Sequence, residues 1–155
     1  MQVREKSPYK IISIAVGIVY YVFGALKFFP SFSPAEDLAS TTIQMLTFHL
    51  LPSHLGLILL AVLETFIGLS LLLNTRNKFI LYLAIAHIVM TFSPIFLIPE
   101  EIFGKNEFNI TLAGQYIFKN IIILAALFAL KQESELIHSK ANRKKGIKII
   151  YKLKY

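Results

Sequence analysis

Four runs of apolar residues, set apart by short polar or proline-bearing breaks, dominate the pattern of this chain: 11–29, 55–73, 79–98 and 111–130. A helix of about twenty residues, rising ~1.5 Å per residue, matches the roughly 30 Å of hydrocarbon in a bilayer. Each run is therefore expected to be a membrane-spanning helix. Between the first two, Ser33-Pro34-Ala35-Glu36 reads as a fresh helix start, with a capping serine, proline at the first position and acids in the first turn. From 35 to 50, Leu38, Ile43, Leu46 and Leu50 recur at roughly helical spacing until Pro52. That spacing predicts a short amphipathic helix lying on, or dipping into, the outer face of the membrane. The fold class is all-α: a four-helix transmembrane bundle with a short extracytoplasmic amphipathic helix.

Small and polar residues mark the inward sides. Gly17 and Gly24 are seven apart and lie near one face of the first span, where the missing side chains let another helix approach. Ala61, Glu64 and Gly68 share a face of the second span, so the acid is expected to point inward. Ala84, His87, Thr91 and Pro94 line one side of the third, and Pro94 should bend that helix and free a carbonyl. Pro99-Glu100-Glu101 closes the span, and the loop that follows to 110 holds Lys105 and Glu107.

Composition narrows the class further. A chain of 155 residues that is 55% hydrophobic carries too much apolar surface for a soluble domain of its size. Its formal charge of +7 does not point to nucleic acid, because the basic residues sit beside apolar segments and in the tail, a distribution suited to anionic lipid headgroups. The chain contains no cysteine, which excludes disulfides, thiol redox chemistry and Cys-ligated metals. Tryptophan is also missing, so Tyr and Phe must form any interfacial aromatic belt.

The basic residues also orient the bundle. Arg4, Lys6, Lys10, Arg76, Lys78 and the tail, from Lys131 through Lys140, Arg143, Lys144, Lys145, Lys148 and Lys152 to Lys154, fall on one side, against Lys105 and a snorkelling Lys27 on the other. The positive-inside rule places both termini in the cytoplasm. Two regions result: a membrane domain over 1–130 and a basic cytoplasmic tail over 131–155. The end of that tail alternates apolar and basic residues, and is as open to an extended strand or irregular segment as to a helix.

Candidate chemistry lies in the stretch Gly114-Gln115-Tyr116-Ile117-Phe118-Lys119-Asn120, which puts an ammonium and two amides inside an apolar run. A lysine at that depth costs on the order of 3 kcal/mol, so Lys119 should face the protein and find an acid. Glu64 and His87 lie at matching depth on their own spans, and Gln115 is one turn from Lys119. Glu64 and Lys119 are expected to pair, with His87 joining them. Lys27 is either a headgroup anchor or the rim of a polar pocket.

Three uses of such a cluster stay open. Glu64 and Lys119 could be a structural pair that fixes helix register. Glu64, His87, Gln115, Lys119, Asn120 and Lys27 could be the contacts of a ligand such as a quinone, through its carbonyl oxygens. The cluster could also move protons or ions. Outside the spans, His49 and His54 flank Pro52, and only with Glu36 or Asp37 could they approach a metal site, a weak candidate. No P-loop, dinucleotide-binding, serine-hydrolase or H-E-x-x-H motif occurs.

Several stretches in this order resemble the DoxX family of small four-span bacterial membrane proteins: Gly17 through Pro30 with its G-A-L-K-F-F-P ending, 33–39, Glu64 with Gly68, Thr91-Phe92-Ser93-Pro94, and Gly114-Gln115-Tyr116 with Lys119-Asn120. The likeness covers about 10–130. It departs at Ala113, where relatives commonly carry an acid. The resemblance implies a bacterial inner-membrane protein associated with a redox system, working beside a redox partner protein, and copies of the chain could also associate with one another. Lacking cysteine, such a subunit would contribute by binding a quinone or by holding its partner. A non-catalytic assembly role is the alternative the same residues allow.

Overall fold

A computed structural model describes residues 8–33, 36–74, 77–104 and 109–154 of the chain. The described residues are helical or in turns, and four of the helices are long and apolar enough to cross a membrane. Helix α1 (Pro8–Leu26) is the first span, α2 (Glu36–Leu46) the short helix after it, and α3 (Ser53–Leu72) the second span. Helix α4 (Lys78–Met90), a turn and α5 (Pro94–Leu97) form the third span; α6 (Pro99–Phe103) precedes α7 (Leu112–Lys154), whose first part is the fourth. The protein is an integral membrane four-helix bundle.

Local chemistry sets the element ends. Pro94 has no N–H to continue the ladder of α4, and the Met90 carbonyl accepts from Ser93 N instead, at 3.0 Å. The expected bend is thus a full break, and Pro94 opens a new helical turn. At the start of α7, the Thr111 hydroxyl accepts from Gly114 N at 3.1 Å and lies 2.6 Å from the Glu101 carbonyl oxygen, so one threonine caps α7 and ties it to α6. Helix α7 then continues unbroken for 43 residues, roughly 65 Å, well past the last membrane-spanning turn. The alternating end of the tail is therefore helical, not a strand or an irregular segment. The side chains of Lys140, Lys144, Lys145, Lys148, Lys152 and Lys154 lie outside the description, as do Arg4, Lys6, Pro34, Ala35, Arg76, Lys105 and Glu107.

Around the bundle the order is α1, α3, α4, α7, so α3 and α7 face each other across a diagonal. The packed core of Val16, Tyr20, Ile67, Leu71, Leu81, Ala84, Ile88, Leu127 and Leu130 fills the half nearer the chain termini. Toward the other end the helices part, and α2 lies against α3 and α5 over the gap. Gln44 is hydrogen-bonded to Ser53, and Ile43 packs on Gly56, so the beginning of α3 fastens α2 in place. Phe28, Phe29, Phe32, Phe48 and Phe96 are exposed at this end, where an aromatic belt would lie.

Candidate functional site

The site begins with a close helix crossing. A Cβ added to Gly68 would lie 2.4 Å from Tyr21 N, and one added to Gly24 would lie 2.6 Å from Thr65 N and 2.9 Å from the Cβ of Glu64. Glycine at these positions lets the backbones of α1 and α3 touch. The contact at Gly24 sets Glu64 directly against α1. Lys27, three residues farther on, then reaches back into the bundle instead of out to the headgroups.

Both carboxylate oxygens of Glu64 are engaged. Oε2 accepts from Lys27 Nζ at 2.6 Å, and Oε1 is 3.4 Å from His87 Nε2, with the three side chains only 8–10% exposed. Lys27 also donates to the Phe23 carbonyl at 3.3 Å. Beyond His87, its Nδ1 is 3.2 Å from the Tyr20 hydroxyl, whose oxygen also lies 3.0 Å from the Ala84 carbonyl oxygen. Tyr20 has one hydroxyl proton to give. If Ala84 receives it, Nδ1 must donate to Tyr20; if Nδ1 receives it, the imidazole is neutral and Nε2–H faces Glu64. Lys27, Glu64, His87 and Tyr20 thus form one chain of shared protons across α1, α3 and α4.

This chain forms part of the wall of a partly open cavity of about 480 Å³ between the helices, on the side that α2 covers. Leu38, Ala39, Thr42, Ile43 and Leu46 of α2 supply one wall. On the α7 wall, Lys119 Nζ lies 5.2 Å from the Tyr116 ring centroid. Asn120 Nδ2 donates to Thr91 Oγ1 at 2.8 Å, and Thr91 passes its own proton to the Ile88 carbonyl at 2.6 Å. The result is an apolar chamber with two polar stations, one built on Glu64 and one on Lys119 and Asn120. That arrangement suits a molecule with an apolar body and a polar head.

Lys27, Glu64, His87, Lys119 and Asn120 all line this one cavity. The expected pairing of Glu64 with Lys119 is corrected: Glu64 pairs with Lys27, because α3 touches α1 while α7 stands across the diagonal. Gln115 is a second correction, being exposed and off the cavity wall. Four residues turn a helix by about 400°, so Gln115 is rotated about 40° from Lys119. Since Lys119 already sits at the edge of the lining face, that rotation carries Gln115 past it.

Tyr116 lies in the candidate stretch without a role of its own, and Tyr20 is a site residue that the sequence reading misses. A signal for Tyr20 exists, since it stands three after Gly17 and four before Gly24, on the face that meets α3. Among the described residues, His49 and His54 belong to no cluster of three or more acidic or histidine side chains able to hold a metal.

Searches of family models, curated proteins and solved structures found no match to this chain. The geometry defines the class: a four-span integral membrane protein with a cavity among its helices and ionisable side chains on its wall.

Proposed function

We propose that this protein binds a lipophilic molecule in the cavity of its bundle, with the head of that molecule at the polar stations and its apolar body between α1, α2 and α7. Following the DoxX-like order of motifs, the reading that fits best is a quinone-binding subunit of a redox system in a bacterial inner membrane, serving a redox partner protein. The observation that carries it is the coincidence of Lys27, Glu64, His87, Lys119 and Asn120 on one chamber of about 480 Å³. Charged groups are rare at membrane depth unless they pair or line a pathway or site, and here several surround one space.

The alternatives fit less well. A purely scaffolding bundle calls for a filled centre, whereas this centre is hollow. A transport or proton pathway calls for a continuous polar track, whereas Ile67, Leu71, Leu127 and Leu130 pack between the chamber and the buried Ser13 and Ser134 nearer the termini.

A photoreactive quinone analogue tests the proposal. Illuminated membranes should yield adducts on peptides from α4 or α7, and Lys119→Met should abolish them while the protein remains folded. Equal labelling of the variant would count against the assignment.

A further inference from the structure

We infer that the molecule in this cavity is bound as an anion: an apolar body whose head is an oxyanion, held by Lys119 and Asn120. The inference rests on the reading that the cavity binds a lipophilic molecule, and adds the charge of its head.

The cavity wall carries the ammonium groups of Lys27 and Lys119, the carboxylate of Glu64 and the imidazole of His87. Glu64 is committed through both oxygens, to Lys27 at 2.6 Å and to His87 at 3.4 Å. Its charge is already shared with Lys27 and His87 rather than with Lys119, and no other carboxylate among the described residues lines the chamber. The nearest compensation for Lys119 is the face of Tyr116, 5.2 Å away, and a ring quadrupole offsets only part of an ammonium charge. One positive charge is thus in excess on an intramembrane wall. Lys119 is exposed in the bundle taken alone, so at membrane depth its charge lacks both water and a carboxylate, and an arriving anion relieves it.

The hydrogen-bonding inventory points the same way. Lys119 presents three N–H donors and no acceptor. Asn120 donates one amide N–H to Thr91 and keeps the other beside its Oδ1 acceptor, while Thr91 donates to the Ile88 carbonyl. Donors thus outnumber acceptors at this station, which calls for a head rich in acceptors, and a charged oxygen meets the donors more strongly than a neutral one. The remainder of the wall, including Val19, Phe23, Leu38, Leu46, Leu60 and Ile123, is apolar and suits an alkyl or prenyl body. A carboxylate, a phosphate or the ionised hydroxyl of a hydroxyquinone would each satisfy this station.

The test uses the full chain in phosphatidylcholine nanodiscs, where no bulk anionic lipid competes, with radiolabelled probes of equal tail length. Dodecyl phosphate and dodecanoate should bind at least about tenfold more tightly than dodecanol, the scale of one charge-assisted contact in a partly buried site. A 2-hydroxy-3-alkyl-1,4-naphthoquinone should likewise exceed its counterpart lacking the hydroxyl if the oxyanion belongs to a quinone; preference confined to the phosphate or carboxylate assigns it to a lipid. Lys119→Met should reduce the favoured anion to the level of its neutral counterpart, and Lys119→Arg should retain the preference.

Equal binding of anionic and neutral probes, or a preference that survives Lys119→Met, would overturn the inference and leave the proposed binding role standing. Failure of every probe, the neutral quinone included, would remove the binding role itself.

Discussion

The ammonium of Lys27 lies 2.6 Å from Oε2 of Glu64, joining the turn after α1 to the middle of α3, with side-chain exposures of 8% and 10%. An ion pair this buried is worth less than either charge costs when left alone. Glu64→Gln should therefore lower stability by about 3–5 kcal/mol, because Lys27 is stranded among apolar helices. The double variant Lys27→Met/Glu64→Leu should recover to within about 1 kcal/mol of the parent. Unfolding of detergent-solubilised protein by heat or SDS checks this. A double variant as unstable as Glu64→Gln would mean that the pair is not what holds α1 against α3.

The glycines of the crossing make a second prediction. At Gly68 a new methyl meets Tyr21 backbone at 2.4 Å, and backbone cannot step aside; at Gly56 the nearest atom, at 2.7 Å, is a methyl of the Ile43 side chain. Gly68→Ala should destabilise by about 1–3 kcal/mol, the usual range for overpacking. Gly56→Ala should cost distinctly less in the same unfolding assay, since Ile43 can change rotamer. A loss at Gly68 well below about 1 kcal/mol would show that α1 and α3 are not in backbone contact.

Orientation can be read with single cysteines, because the chain has none of its own. Leu50, 85% exposed beyond α2, and Arg143, exposed far along α7, lie toward opposite ends of the bundle. With the basic end inside, a membrane-impermeant maleimide should label Leu50→Cys in intact cells and Arg143→Cys only after permeabilisation. The opposite pattern would invert the molecule in the membrane.

Periodicity carried most of the fold. The four apolar runs became the four spans with ends shifted by a few residues, and the inward faces of Ala61, Glu64 and Gly68 and of Ala84, His87, Thr91 and Pro94 could be read from spacings of three and four. Depth was legible too, since Glu64, His87 and Lys119 do surround one space. Partnership was not. Which helix stands beside which depends on the order around the bundle, and no linear pattern states whether α3 meets α1 or α7. From its position at a helix end, Lys27 reads as a headgroup anchor or as the rim of a polar pocket; the backbone contact at Gly24 decides between them by turning it inward to Glu64. Likewise, the amphipathic spacing of α2 marked one apolar side, but not that a hollow lay beneath it.

The packed half of the bundle bears on traffic as well as on stability. With Ile67, Leu71 and Leu127 almost wholly enclosed between the chamber and the terminal end, the chamber is closed by apolar side chains on that side. Under the proposed binding role, an occupant would enter and leave on the side that α2 covers. A guest held there, as the proposed binding role requires, would be presented toward that one side of the membrane.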